Sequence, residues 1–185
     1  MALAFAAVLC AGCSSGSSSA TGTSTSTTRP PLPAGVTPSP LAVQICATQA
    51  RQEIAASLGE AADISTPNWS VAQHLYSCEY RYSTGSFTLS MKELSSWPET
   101  YAYFDSLHTQ LGTSCPEPVS GSCVLQNLGQ GAYQTTDGSV VVRKDWKVLL
   151  VDISGLPAQF GVPATPASDV AVTIADVILG CWSGD

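Results

Sequence analysis

Positive charge is scarce in this chain: only seven of its 185 residues are Lys or Arg, against fourteen Asp and Glu, and none of the seven precedes Arg29. A formal charge of −7 argues against nucleic acid as a partner, because neutralising phosphates needs a basic surface. Long apolar runs are also missing at the N-terminus, where Ala2 to Leu9 is eight residues long, far short of the ~20 that span a bilayer. Histidine is limited to His74 and His108, so a hydrolase triad would have to recruit one of them. There is no Gly-x-Ser-x-Gly elbow to present a nucleophile. Gly129-Gln130-Gly131 precedes a strand pattern instead of opening a helix, which excludes a phosphate-binding loop. Asp105, Asp152, Asp169 and Asp176 are spaced as solvated positions, with no two paired for acid–base work. No cofactor is expected.

What is present begins with Cys10-Ala11-Gly12-Cys13-Ser14-Ser15, directly after the apolar run. A short apolar segment closing on Ala-Gly-Cys resembles a bacterial lipobox, with Cys10 in the place usually held by Leu. The resemblance implies cleavage after Gly12 and a lipidated Cys13 as the new N-terminus, on the extracytoplasmic face of the cell membrane. The basic n-region of a signal peptide is absent, so the start of the reading frame is expected to lie upstream.

Residues 1–12 are therefore read as signal peptide and 13–40 as the lipidated cysteine and its tether. Ser, Thr, Gly and Ala dominate the first half of that tether, and Pro30, Pro31, Pro33, Pro38 and Pro40 punctuate the second. Such a composition buries too little apolar surface to offset chain entropy. As a flexible coil it would span about 30 Å.

Residues 41–185 suit one domain, holding six of the basic residues and all fourteen acidic ones. In an exported chain its cysteines, Cys46, Cys78, Cys115, Cys123 and Cys181, read as disulfides before metal ligands, and none has zinc-site spacing. Cys115 and Cys123 bracket a turn-rich loop and form the first expected bridge. Of the other three at most two can pair. Cys46 with Cys78 is favoured, with an exchange involving Cys181 as the alternative.

Cys46, Ala50, Ile54 and Leu58 recur every four residues before Gly59, predicting a first helix over 40–58. Alternation over 75–94, interrupted by Ser83-Thr84-Gly85-Ser86, predicts two antiparallel strands. Ser96-Trp97-Pro98-Glu99 has a capping-box pattern and opens a second helix, whose stripe is Trp97, Tyr101, Phe104, His108 and Leu111. Three strands follow across 131–154, with turns at Asp137-Gly138 and Lys144-Asp145. Thr165-Pro166 predicts the start of a last helix, with Val170, Ile174, Val177, Ile178 and Cys181 inward. The order α-β-β-α-β-β-β-α implies an α+β domain, an antiparallel sheet of about five strands with helices chiefly on one face.

This layout resembles a group of actinobacterial, mycobacterial-type cell-envelope lipoproteins without established chemistry, and is similar in architecture to extracellular sensor domains of some actinobacterial Ser/Thr kinases. The matching features are Cys46, Leu58-Gly59, Cys78-Glu79-Tyr80, Gly131-Ala132-Tyr133, Val140 to Arg143 and Asp169 to Leu179. The resemblance implies an envelope location and supports the Cys46–Cys78 pair. It brings no catalytic residues.

One sheet face stands out. If Leu149, Val151 and Ile153 face the helices, Val148, Leu150 and Val141 point the other way, either beneath the first helix or the 155–163 loop, or into an open apolar groove. Arg143, Lys144 and Trp146 would rim that groove. The expected function is a non-enzymatic, lipid-anchored binding module for an envelope lipid, a glycan or another envelope protein. The alternative is a small envelope hydrolase with His108 as general base.

Overall fold

A computed structural model describes residues 33–113 and 125–182. Cys13, Cys115 and Cys123, and with them the expected lipidation site and the expected 115–123 bridge, lie outside the described residues. The chain forms α1 (Pro40–Gln44), α2 (Thr48–Leu58), β1 (Asp63–Ile64), β2 (Asn68–Ser70), β3 (Leu75–Tyr82), β4 (Gly85–Glu93) and α3 (Trp97–Leu111). It continues as β5 (Gly131–Gln134), β6 (Val140–Lys144), β7 (Lys147–Asp152), β8 (Gln159–Phe160), β9 (Thr165–Pro166) and α4 (Ala167–Gly180).

The fold is α+β. Its main sheet has the order β1-β3-β4-β7-β6-β5, with β2 also on β3, making seven strands instead of about five. The five long ones are those the alternation predicts; β1 and β2 are edge additions of two and three residues, too short to show a period. Every pairing in it is antiparallel.

Strand register sorts the side chains cleanly. Tyr76, Met91, Leu149, Val142 and Ala132 form one row across the sheet, and Cys78, Leu89, Val151 and Val140 the next. All are buried, and α1, α2 and α4 close over them through Ala42, Ile45, Ile54, Val170 and Ile174. The opposite face carries Tyr133, Val141, Leu150 and Ser90 in one row and Gly131, Arg143, Val148 and Lys92 in the next. Among the described residues α3 is the helix that lies there, against β6 and β7. Helices therefore do pack chiefly on one face, but the second predicted helix takes the other.

The single helix predicted over 40–58 is two. Ser39 caps α1, its hydroxyl accepting from Ala42 N–H at 3.2 Å. The break follows at Ile45, whose carbonyl accepts the Tyr80 hydroxyl at 2.6 Å instead of continuing a helical ladder. Next to it, Cys46 is bonded to Cys78 on β3. Two ties to the same strand thus turn the chain before α2 starts. Gly59, at φ +68°, ends α2 where a Cβ would lie 2.4 Å from the Val162 carbonyl oxygen. Leu58 O accepts from Val162 N–H at that crossing.

The last helix starts one step later than predicted. Thr165 and Pro166 pair with Phe160 and Gln159 in a two-stranded ribbon, and α4 begins at Ala167. Among the described residues no helix is long and apolar enough to cross a membrane.

Candidate functional site

Arg143 sits in β6 between β5 and β7, with its side chain on the α3 face. Its cross-strand neighbour on β5 is Gly131, and the absent side chain matters: a Cβ there would stand 3.1 Å from Arg143 Nη2. The arginine uses that space to reach the turn before β5, where Nη2 donates to Gln130 O at 2.8 Å. Gln130 is itself fixed, donating its N–H to Arg143 O at 2.8 Å and accepting from Asp145 N–H through Oε1 at 2.9 Å. The Gly-Gln-Gly segment is therefore a cradle for an arginine.

From α3, two aromatic rings close over the guanidinium. Arg143 Cζ lies 4.2 Å from the Tyr101 centroid and 5.7 Å from that of Phe104. Only 8% of Arg143 is exposed, its Nε is buried without a hydrogen-bond partner, and among the described residues no carboxylate pairs with it. Charge in a dry setting normally demands an anion or a full set of acceptors. Arg143 has ring faces and one carbonyl.

Above it is an open cleft of about 400 Å³ lined by Trp97, Tyr101, Gln130 and Arg143. Trp97 is 37% and Tyr101 48% exposed, with ring centroids 6.3 Å apart and planes tilted by 44°. Lys92, in the same cross-strand row, lies 5.4 Å from the Tyr103 centroid and donates to Gln73 O. Burial pulls its ammonium pKa below the usual lysine value.

Of the two expectations for the Val141, Val148 and Leu150 face, cover holds and the open groove does not. Val141 and Val148 are buried in a cluster with Leu107 and Tyr133, and Leu150, half-buried, packs on its edge with Leu94, Tyr103 and Phe104. The cover is neither α1 nor the 155–163 loop but α3, whose buried residues are Thr100 and Leu107. The inner face of α3 is thus rotated from the predicted stripe. Trp97, Tyr101 and Leu111 hang at its exposed margin.

The predicted rim also divides. Lys144 points to the other face of the sheet, where its ammonium donates to Trp182 O and stands 5.3 Å from the Trp182 ring centroid. Trp146 is in the β6–β7 turn, half-buried, its carbonyl accepting from Leu94 N–H at 2.9 Å. Only Arg143 of the three lines the cleft.

His108 stands edge-on to Tyr133 at 5.0 Å between centroids. Among the described residues no hydroxyl or carboxylate is hydrogen-bonded to it. The Tyr133 hydroxyl donates to Phe104 O at 3.4 Å, and burial, followed by the nearby negative charge of Asp105, pushes its pKa well above the usual tyrosine value. Cys181, expected as the odd thiol, donates to Glu53 Oε2 at 3.0 Å.

Nothing in the sequence context of Trp97, Tyr101 and Gln130 marks them for binding. The signal they leave in the sequence is the aromatic stripe of α3, of which Phe104 packs on the sheet while Trp97 and Tyr101 stay at the exposed margin. No protein family, curated protein or solved structure matches the chain.

Proposed function

We propose that this chain is a non-enzymatic, lipid-anchored binding module of the bacterial cell envelope, which captures an envelope ligand in the cleft above Arg143. The observation that carries the reading is the buried, unpartnered Nε of Arg143 beneath exposed Trp97 and Tyr101. Folding alone gains little from such an arrangement, since an unsatisfied buried donor costs roughly 1–3 kcal/mol. A ligand that supplies the acceptor recovers that loss on binding. The anchor rests on Ala11-Gly12-Cys13 and the Ser/Thr/Pro-rich tether, which together resemble those of actinobacterial envelope lipoproteins.

The test uses the full chain and its Trp97→Ala and Tyr101→Ala variants, melted in the presence of separated lipid, polysaccharide and protein fractions of a bacterial envelope. One fraction should raise the melting temperature of the wild type and leave both variants unmoved. An equal shift in all three proteins, or none with any fraction, would overturn the reading. For the anchor, Cys13→Ala should move the chain from the membrane to the soluble fraction, whereas Cys10→Ala should not.

A further inference from the structure

We infer that the Arg143 cleft is built for an acidic sugar, a pyranose ring bearing one carboxylate, with the carboxylate on the guanidinium and the ring against Trp97 and Tyr101. This rests on the binding reading above and narrows its ligand.

The charge comes from the arginine. Its Nε lacks an acceptor, and a carboxylate is the acceptor whose planar geometry best matches a guanidinium edge. Among the described residues the cleft offers one cation. Lys92 is held at Gln73 O and the Tyr103 ring, while Lys144 and Lys147 belong to a cross-strand row on the opposite sheet face. A single positive charge matches a monoanion. A phosphate dianion or a polyanion would need further donors and would meet a chain of net charge −7.

The ring comes from the aromatics. Trp97 and Tyr101, tilted by 44°, form a corner whose apolar faces suit the C–H face of a sugar while its hydroxyls stay in water. A cleft of about 400 Å³ sits at the small end of the ~300–1,000 Å³ range for small-ligand sites, enough for one or two rings. The Tyr101 ring lies over the guanidinium. At 48% exposure Tyr101 belongs to neither apolar cluster, so its side chain is the part of the cleft wall that can give way to a ligand.

Titration of the full chain with methyl glucuronide, methyl glucoside and glucose 6-phosphate tests this, read by tryptophan fluorescence and calorimetry. Methyl glucuronide should bind about tenfold or more tighter than the other two, a difference of the size one good charged contact provides. Arg143→Gln should abolish that preference, and Trp97→Ala should weaken all sugar binding while leaving the melting temperature unchanged. Should Arg143→Gln fail to fold, Trp97→Ala and Tyr101→Ala, both at exposed positions, still decide the matter. Equal binding of glucuronide and glucoside, tighter binding of the phosphate, or no binding of glucuronide overturns the inference. If an envelope fraction still raises the melting temperature while all three sugars fail, only the acidic-sugar assignment falls.

Discussion

The guanidinium of Arg143 lies 4.2 Å from the centre of the Tyr101 ring, and that ring stands where a stability-driven design would put a carboxylate. A desolvated cation–π contact is worth about 2 kcal/mol or somewhat more, and the bond to Gln130 O about 1.5–3 kcal/mol. Against them stand desolvation of the charge and the orphaned Nε. The near-balance is what a residue kept for a ligand is expected to show.

Arg143→Met should therefore change stability by no more than about 1–2 kcal/mol, since replacing a buried charge with an apolar side chain of similar length is often neutral. Arg143→Ala should cost more, because it also empties space under Tyr101 and Phe104. Urea denaturation of both variants checks this. A loss above ~3 kcal/mol in the Met variant would make Arg143 a structural residue.

Val141 is fully buried beneath α3. Val141→Asp should lose several kcal/mol, as an unpaired carboxylate forced into an apolar cluster does, while Trp97→Ala on the helix margin should stay within about 0.5 kcal/mol. A Val141→Asp protein that melts like the wild type would mean that α3 does not close this face.

Asp137 gives a pH signature. Burial alone would raise its carboxyl, but hydrogen bonds from Thr135 and Ser139 outweigh that and hold it below the ordinary value of 3.8. A carboxyl depressed in the folded state stabilises fully above its unfolded pKa of ~3.9, and the contribution fades as pH falls through the folded value. The stability gap between wild type and Asp137→Asn should be flat near neutrality and shrink only in that acidic window. A gap independent of pH down to the acid limit would remove the hydrogen-bonded carboxylate from the account.

The Cys46–Cys78 bridge closes a loop of 32 residues, which the chain-entropy relation values at about 3.7 kcal/mol. The Cys46→Ala, Cys78→Ala double variant should lose roughly that amount in urea melts. An unchanged midpoint would mean that the thiols are not joined in solution.

Where apolar periodicity was long, the sequence carried its own structure. The strands at 75–82, 85–93 and 140–152 and the capped helix at Ser96 were legible because packing and capping there act over adjacent residues. The split before α2 was hidden because its causes, Tyr80 and Cys78, lie more than thirty residues away. The α3 stripe misled for a related reason. Aromatics at helical spacing say that a face exists, but how much of it is buried depends on the width of sheet beneath. The cleft is half legible: the sequence puts Arg143 at the rim of a sheet face and Gly129-Gln130-Gly131 before a strand, yet only strand register brings them together under Tyr101.

The most direct test of the Arg143 cleft is the Nε–Hε resonance of Arg143 in a ¹⁵N spectrum of the full chain, assigned against the other three arginines, Arg29, Arg51 and Arg81. Envelope material that stabilises the protein should shift the Arg143 signal and leave those three in place. If the protein is stabilised while the Arg143 resonance stays where it was, the ligand binds elsewhere and the cleft is not the recognition site.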